Sequence, residues 1–569
     1  MTFTAILSYT DKQRLCVVLG LALLLSACAG ELQQQGPGTA AIASAHPLAT
    51  AAGAEVLAQG GNAFDAAVAV SAALSVVEPA ASGLGGGSFW LLHSADTGKQ
   101  VFVDARETAP SAATRDMYLD EDGNPVKRAS YDGPLSAGIP GHPAGLVHIA
   151  ERYGRLPLEI SLAPAIKLAE EGFVATPRML LGLKFRKSAY ANSPGFREVF
   201  LPEGSIPEPG DLIRQPDLAN TLRALAEQGF EGFYRGDVAD RLIDGVRSGG
   251  GIWIAEDLAD YSVVEREPLV FNYRDVRVVS APPPSSGGIV MAEIFNILGG
   301  YDLSGMSSVA QKHLAIEAMR RAYRDRADYL GDPAFVDMPV AKLVSPEYAE
   351  ALRESIDVKR ATPSAELPPV NIVPKEGADT THLSVIDAAG NRVAVTQSIN
   401  TWYGAGFIPE GTGVILNNEM DDFSSKPGTP NSFGLIHGSA NEIEPGKRML
   451  SSMSPTFLES DRGVAVVGTP GGSRIITQIA LAAQIWMAGG TAEDMVSAKR
   501  FHQQYIPDAV AYEPGAFSDD EITGLEEKGH KLTESRRPFG NMNVVTWDFA
   551  TNTVEAATDP RGEAEGRVY

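Results

Sequence analysis

Thr380 carries a hydroxyl at the point where an irregular stretch of chain gives way to a strand pattern. A threonine hydroxyl is a weak nucleophile unless a base sits beside it. One device is to make the threonine N-terminal, so that its own α-amino group takes the proton. That amine has an ordinary pKa of about 7.7–8.0, against about 10.4 for lysine, so much of it is free base near neutral pH. An enzyme of this kind must first cut its own chain. Residues 361–378 contain four prolines among small and charged residues, and read as an exposed, irregular strap whose far end is held by a strand. Alone, the triplet Thr380-Thr381-His382 is weak evidence, because a Thr-x-His triplet arises by chance in roughly every second chain of this size.

The strand that begins there adds a second hydroxyl. Thr381-His382-Leu383-Ser384-Val385-Ile386 and Arg392-Val393-Ala394-Val395-Thr396-Gln397-Ser398-Ile399 flank Asp387-Ala388-Ala389-Gly390-Asn391, which is a hairpin signal. A turn centred on Ala389 pairs 389 − k with 389 + k, and nine residues out on each side it sets Thr380 opposite Ser398. Directly opposed side chains lie about 5 Å apart at Cβ. A register slip of one residue would separate the two hydroxyls.

Three later segments, added to Thr380-Thr381-His382-Leu383-Ser384-Val385, make the pattern specific: Asn417-Asn418-Glu419-Met420-Asp421-Asp422-Phe423-Ser424, Arg448-Met449-Leu450-Ser451-Ser452-Met453-Ser454-Pro455-Thr456 and Gly468-Thr469-Pro470-Gly471-Gly472-Ser473-Arg474. In order and spacing they resemble the gamma-glutamyltransferase family of N-terminal-nucleophile hydrolases. The resemblance extends upstream through Gly60-Gly61-Asn62-Ala63-Phe64-Asp65-Ala66-Ala67, Arg106-Glu107-Thr108-Ala109-Pro110 and the proline-serine-glycine stretch at 282, and downstream to Arg500-Phe501-His502 and Asp559-Pro560-Arg561.

The resemblance implies a cut between Asp379 and Thr380, a large subunit over 46–379 and a small one over 380–569. Thr380 is then the nucleophile and Ser398 its hydroxyl neighbour. Arg106 is expected to pair with a substrate α-carboxylate, a bidentate task for which lysine would be a poor replacement, and Ser451 and Ser452 to assist it. Asn400, Glu419 and Asp422 are expected to cradle the α-ammonium, the carboxylates offsetting the cost of burying a cation. Gly471 and Gly472 are expected to form an oxyanion hole, since glycine lets backbone N–H groups approach closely. Taken singly, Glu419 and Asp422 read equally as a solvated acidic turn, the glycine pair as a tight turn, and Arg106 as a structural ion pair. The acidic run lacks the loop glycine and terminal glutamate of a calcium loop. Two departures stand out. Ser398 replaces a threonine found in many members, keeping the hydroxyl. Phe433 replaces a tyrosine on the lid loop, residues 423–447, which implies a weaker latch and more hydrolysis relative to transfer.

The expected fold is α+β, a four-layer αββα sandwich with the two subunits interwoven in one domain. Residues 47–77 carry apolar side chains at helical spacing with Gly60-Gly61-Asn62 as an internal stop, so two helices are expected. Gly83-Leu84-Gly85-Gly86-Gly87 is no dinucleotide fingerprint, because it leads into a strand; it reads as a tight turn before two strands over 88–103. Residues 140–360 look mainly helical, with Arg321, Arg324, Asp325 and Arg326 expected on solvated faces.

The chain has 569 residues, 44% hydrophobic, and a formal charge of −24, which repels nucleic acid and anionic lipid surfaces. Its two cysteines, Cys16 and Cys28, both precede residue 30, so neither a disulfide nor a cysteine nucleophile is expected in the mature protein. Lys12 and Arg14 precede an apolar run over 15–25, too short to span a bilayer and suited to a signal peptide over 1–28. It ends in Leu25-Ser26-Ala27-Cys28, which resembles a bacterial lipoprotein box that would lipidate Cys28; the alternative is plain cleavage at the small residues Ala27 and Ala29. Residues 29–45 then read as a flexible tether, and the protein as exported, periplasmic or anchored at the outer membrane. No metal or organic cofactor is expected. The implied substrates are glutathione and other gamma-glutamyl compounds, with water, amino acids or peptides as acceptors. The rivals are a cephalosporin- or glutaryl-type acylase on the same scaffold, and a non-catalytic peptide-binding lipoprotein.

Overall fold

Asp387 organises the central hairpin. Its Oδ1 accepts the backbone N–H groups of Ala389 and Asn391, both at 3.0 Å, and its Oδ2 accepts the Asn391 side chain at 2.7 Å and the Ala63 N–H at 2.9 Å. The turn is thereby capped and tied to the start of a helix in one step. In the computed structural model, which describes residues 36–367, 380–536 and 539–569, the strands run antiparallel from Arg392↔Ile386 to Gln397↔Thr381. That is the register of a turn centred on Ala389. Cys28, Asp379 and the signal segment lie outside the described residues.

Thirteen strands build two stacked antiparallel sheets: β1 (Ala41–Ser44), β2 (Gly87–His93), β3 (Gln100–Ala105), β4 (Val264–Arg266), β5 (Leu269–Tyr273), β6 (Val276–Ser280), β7 (Thr381–Ile386), β8 (Arg392–Ser398), β9 (Thr456–Ser460), β10 (Gly463–Gly468), β11 (Asn543–Asp548), β12 (Thr553–Thr558) and β13 (Glu565–Val568). The first sheet has the order β13-β1-β7-β8-β2-β3-β4 and the second β12-β11-β10-β9-β6-β5. Each sheet takes strands from both sides of Thr380, so neither half closes a sheet alone.

Period-two alternation sorts the side chains between layers. Trp90, Leu92, Leu383, Val385, Val393 and Val395 face one core, with helices α1 (Pro47–Ala58), α2 (Ala63–Val77), α3 (His142–Tyr153) and α4 (Leu158–Glu171). Phe89, Leu91, Phe102 and Ala394 face the other, with Val278, Val466 and Val545 of the second sheet and helices α5 (Gly287–Gly299), α6 (Ser308–Tyr329) and α7 (Ile475–Met487). The result is the expected four-layer αββα sandwich. The expected helix pair over 47–77 is α1 and α2, broken at Gly60-Gly61-Asn62, where Asn62 and Asp65 form a capping box.

Three expectations need correction. The last part of the expected tether is strand β1, fully buried between β13 and β7, because its small residues fit a crowded sheet interior. The stretch 140–360 is mainly helical, as expected, and within it β4, β5 and β6 supply strands to both sheets. The described part of the strap is packed rather than exposed, with Ser364 Oγ donating to the Tyr505 carbonyl at 2.6 Å and the Ala361 N–H to the Lys528 carbonyl at 2.7 Å. The charges of α6 are not solvated. Arg321, Asp325 and Arg326 are at most 1% exposed, and most of this polar face is satisfied by partners, as in the 2.6 Å bond from Arg321 to Glu317.

The glycine cluster also does more than turn. Gly86 closes a turn onto the Gly83 carbonyl, but a Cβ on Gly86 would lie 2.0 Å from the Ser398 carbonyl oxygen, and one on Gly87 2.2 Å from Glu107 Oε2. These glycines let the start of β2 lie against the end of β8 and against Glu107.

Candidate active site

Thr380 and Ser398 lie at the open end of the central hairpin, with Thr380 Oγ1 and Ser398 Oγ 3.3 Å apart. The Asn400 N–H donates to Ser398 Oγ at 2.8 Å, which fixes that rotamer where a serine has less steric constraint than a threonine. Both residues line a cavity shared with Arg106, Glu419, Asp422, Phe433, Ser451, Ser452 and Gly472. His382 does not line it: its ring is hydrogen-bonded to Thr396 and Ser384, and burial lowers its pKa to about 3, so it is a neutral structural imidazole.

Arg106 directly follows β3 and is held by its Nε bond to the Met449 carbonyl at 3.3 Å. Its guanidinium reaches Asp422 at 2.7 Å, Glu419 at 2.9 Å and Glu107 at 3.6 Å. Burial opposes its charge, but the three carboxylates together raise its pKa above the usual range. The carboxylates themselves are in short supply of cations. Burial pushes Glu107 up to about 7 against the pull of Arg106, raises Glu419 well above the ordinary carboxylate range and raises Asp422 as well. A centre with three acidic groups around one guanidinium favours the arrival of another cation.

Glu419 and Asp422 sit in a 3-10 turn that Asn417 and Asn418 hold in place. Asn417 donates to the carbonyls of Gly85 and Gly138 at 2.7 and 2.8 Å and accepts the N–H groups of Gly138 and Glu419. Asn418 donates to the Tyr131 carbonyl at 2.8 Å and accepts from Thr401. From the other side, Asn441 donates to the Asp422 carbonyl at 2.7 Å. The acidic turn is therefore a buried element with a tied backbone and not a solvated one, while both carboxylate oxygens of Glu419 lack a hydrogen-bond donor.

Gly471 and Gly472 adopt φ values of +143° and +56°, in the region that favours glycine, at the entry to α7. Gly472 lines the cavity. Gly471 and Asn400 are not among its lining residues; the Asn400 amide nitrogen is engaged by the Asn418 carbonyl at 2.8 Å.

A model of the gamma-glutamyltranspeptidase family matches residues 49–569. The chain belongs to that family. It is 46% identical over 499 residues to a glutathione hydrolase proenzyme of Pseudomonas sp. (strain A14), covering 86% of each chain. To the glutathione hydrolase proenzyme of Escherichia coli (strain K12) it is 42% identical over 525 residues, covering 91% of this chain and 90% of the relative. Its fold matches the crystal structure of a cephalosporin acylase from Bacillus halodurans with a TM-score of 0.82 and 29% identity, covering 94% of this chain and 96% of that one.

The loop over 423–447, expected to be a lid, brings Phe433 and Leu435 to the cavity wall. Phe433 is 9% exposed and packs onto Gly472. The loop is latched without a tyrosine hydroxyl: Asn431 donates to Asp422 at 3.0 Å, the Ser432 N–H to Asp421 at 2.9 Å, and Gln504 to the Phe433 carbonyl at 3.3 Å. Sequence reasoning missed Asn417, Asn418, Asn431, Asn441 and Gln504 as supports. Asn417 and Asn418 fall inside a segment already singled out, and an adjacent amide pair beside paired carboxylates was the available signal.

A Cβ on Gly472 would lie 2.4 Å from Cδ1 of Phe433. Gly472→Ala is therefore expected to displace either the lid ring or the glycine turn, to lower kcat about a hundredfold, the scale of a lost oxyanion donor, and to lower the unfolding temperature as well, because alanine is strained at φ +56°. Wild-type kcat in that variant would show that the close approach is irrelevant to turnover.

Proposed function

We propose that the protein is an autoprocessed gamma-glutamyltransferase and glutathione hydrolase whose nucleophile is Thr380. Cleavage between Asp379 and Thr380 frees the threonine amine. That amine takes the hydroxyl proton as Thr380 Oγ1 attacks the gamma-carbonyl of glutathione or a related amide, and the glycine pair at 471 and 472 faces the developing oxyanion. Collapse expels the amine product, protonated by the same α-amino group, and leaves a gamma-glutamyl ester on Thr380. Water releases glutamate; an amino acid or peptide amine takes the acyl group instead.

The observation that carries this reading is the placement of a charge-dense recognition centre beside the two hydroxyls. A gamma-glutamyl head group is a zwitterion. Its α-carboxylate suits Arg106, with Ser451 and Ser452 as further donors, and its α-ammonium supplies a second cation for Glu419 and Asp422, which otherwise share Arg106. In the empty site Arg106 and the acids pair with each other, so the substrate inserts into an ion pair that already exists and exchanges partners within it. This limits the desolvation penalty on both sides.

The likeness to a cephalosporin acylase keeps one rival in view, hydrolysis of acyl groups without an α-ammonium. The charge balance argues against it, since a glutaryl group would leave the acids uncompensated. The two readings separate by pH. Burial raises all three acids, and Glu107, pushed up to about 7, ionises between pH 6 and pH 8, adding a negative charge to the centre that an ammonium can neutralise and a glutaryl group cannot. The ratio of kcat/KM for a gamma-glutamyl anilide to that for a glutaryl anilide is expected to climb about tenfold between roughly pH 6 and pH 8, while the Thr380 amine affects both donors alike and cancels. A flat ratio, or one that favours the glutaryl donor, would sink the proposal.

We also infer export and lipid attachment at Cys28, supported by the charged flank, apolar run and Leu-Ser-Ala-Cys sequence. Cys28→Ser is expected to move activity from the membrane pellet to the soluble fraction; an unchanged distribution would count against the anchor.

A further inference from the structure

Arg326 lies on α6, and its side chain is buried at 1% exposure. Among the described residues it has no carboxylate within ion-pair distance, and its Nη1 has no hydrogen-bond partner. A buried guanidinium in this state is costly, and it calls for an account. Its two other contacts are both hydroxyls. Nε donates to Ser286 Oγ at 2.9 Å and Nη2 donates to Ser452 Oγ at 3.3 Å.

A guanidinium only donates, so these bonds dictate where the serine protons go. Ser452 Oγ accepts from Arg326, which turns its own O–H toward the cavity that it lines. Ser286 Oγ, accepting from Arg326, passes its proton to the Ser451 carbonyl at 2.8 Å, which also receives the Ser286 N–H at 2.8 Å. Ser451 Oγ in turn accepts the Met453 N–H at 3.1 Å, so its proton is likewise free for the cavity. Each serine hydroxyl thus has one acceptor site filled from the protein side and keeps its proton to donate to a ligand. The same helix reaches the other end of the site, since the Tyr323 hydroxyl donates to the carbonyl of Ser473, next to Gly472.

We propose that Arg326 is a positioning residue for the substrate α-carboxylate: by occupying the acceptor side of Ser452, and through Ser286 fixing the Ser451 backbone, it turns the serine pair into two hydroxyl donors aimed at an anion. Its charge adds a second positive field behind that carboxylate without touching it. This inference rests on the gamma-glutamyl reading above.

The test compares two chromogenic donors, a gamma-glutamyl anilide and the 4-aminobutyryl anilide, which keeps the ammonium and lacks the α-carboxylate. Arg326→Gln is expected to raise KM for the first about tenfold with kcat within about threefold, and to leave kcat/KM for the second within about twofold, the scale of one weakened charged hydrogen bond. Arg326→Lys should fall between Arg326→Gln and wild type. Equal losses on both donors, or an unchanged KM for the gamma-glutamyl donor, would overturn the proposal by reducing Arg326 to a packing role. Should Arg326→Gln fail to mature, Ser286→Ala carries the same test: a selective KM rise of about threefold supports the proposal and its absence refutes it. A wild-type enzyme inactive on the gamma-glutamyl anilide defeats the functional reading instead, which keeps the two failures apart.

Discussion

Everything at this site depends on the register of one hairpin. Asp387 caps the turn with both carboxylate oxygens, and the pairing it sets carries Thr380 to 3.3 Å from Ser398. A slip of one residue would point Thr380 at the opposite face of the sheet, away from the recognition centre. The same turn is tied to α2 through the Ala63 N–H, so the helical layer and the central strands are positioned by a single side chain. Because β7 and β8 lie between β1 and β2, the start of the second half of the chain is clamped on both sides by the first. The proposed cut next to Thr380 would need that clamp, since the reacting bond must be held while its neighbours stay in place.

The second constraint is electrostatic. Arg106, Glu107, Glu419 and Asp422 form a nearly dry cluster that no ordinary surface ion pair resembles; Asn417 and Asn418 hold the backbone of the acidic turn, and the charged groups are held by mutual attraction at low effective dielectric. Such clusters are poor stabilisers compared with apolar packing. Their use is specificity. An empty site whose acids outnumber its cations binds a ligand that brings a cation, and the orientation of the serine hydroxyls, set from behind by Arg326, selects a ligand that brings an anion as well. The loop over 423–447 and the glycine turn meet at Phe433 and Gly472, so on the proposed reading closure over the acyl group and support of the oxyanion are one packing event.

Much of this was legible in the chain. The hairpin register follows from Asp387-Ala388-Ala389-Gly390-Asn391 and the flanking alternation, and the helix pair over 47–77 follows from its glycine stop. Eight of the ten residues expected at the site line one cavity, and their grouping came from family resemblance, because single acidic or glycine pairs have duller readings. What was not legible had physical causes. The α6 charges occur at spacings typical of a solvated face, and their burial depends on partners such as Asp508 and Ser355 that are distant in sequence. Strand β1 is made of alanine, isoleucine and serine, too small and too few to signal a strand, and is extended only because β7 and β13 pair with it. Asn417 and Asn418 act through hydrogen bonds to backbone groups up to 332 residues away, which no local pattern encodes.

The central claim is that the amine of a newly exposed Thr380 activates its own hydroxyl to form an acyl-enzyme. Mass spectrometry of the purified protein, quenched in acid during turnover of a gamma-glutamyl donor, addresses it directly. The account expects a small fragment that begins at Thr380 and carries one gamma-glutamyl group on that residue, with Thr380→Ala giving an intact chain and no adduct. A full-length chain that turns over the donor at an undiminished rate, or an adduct on any other residue, would contradict it.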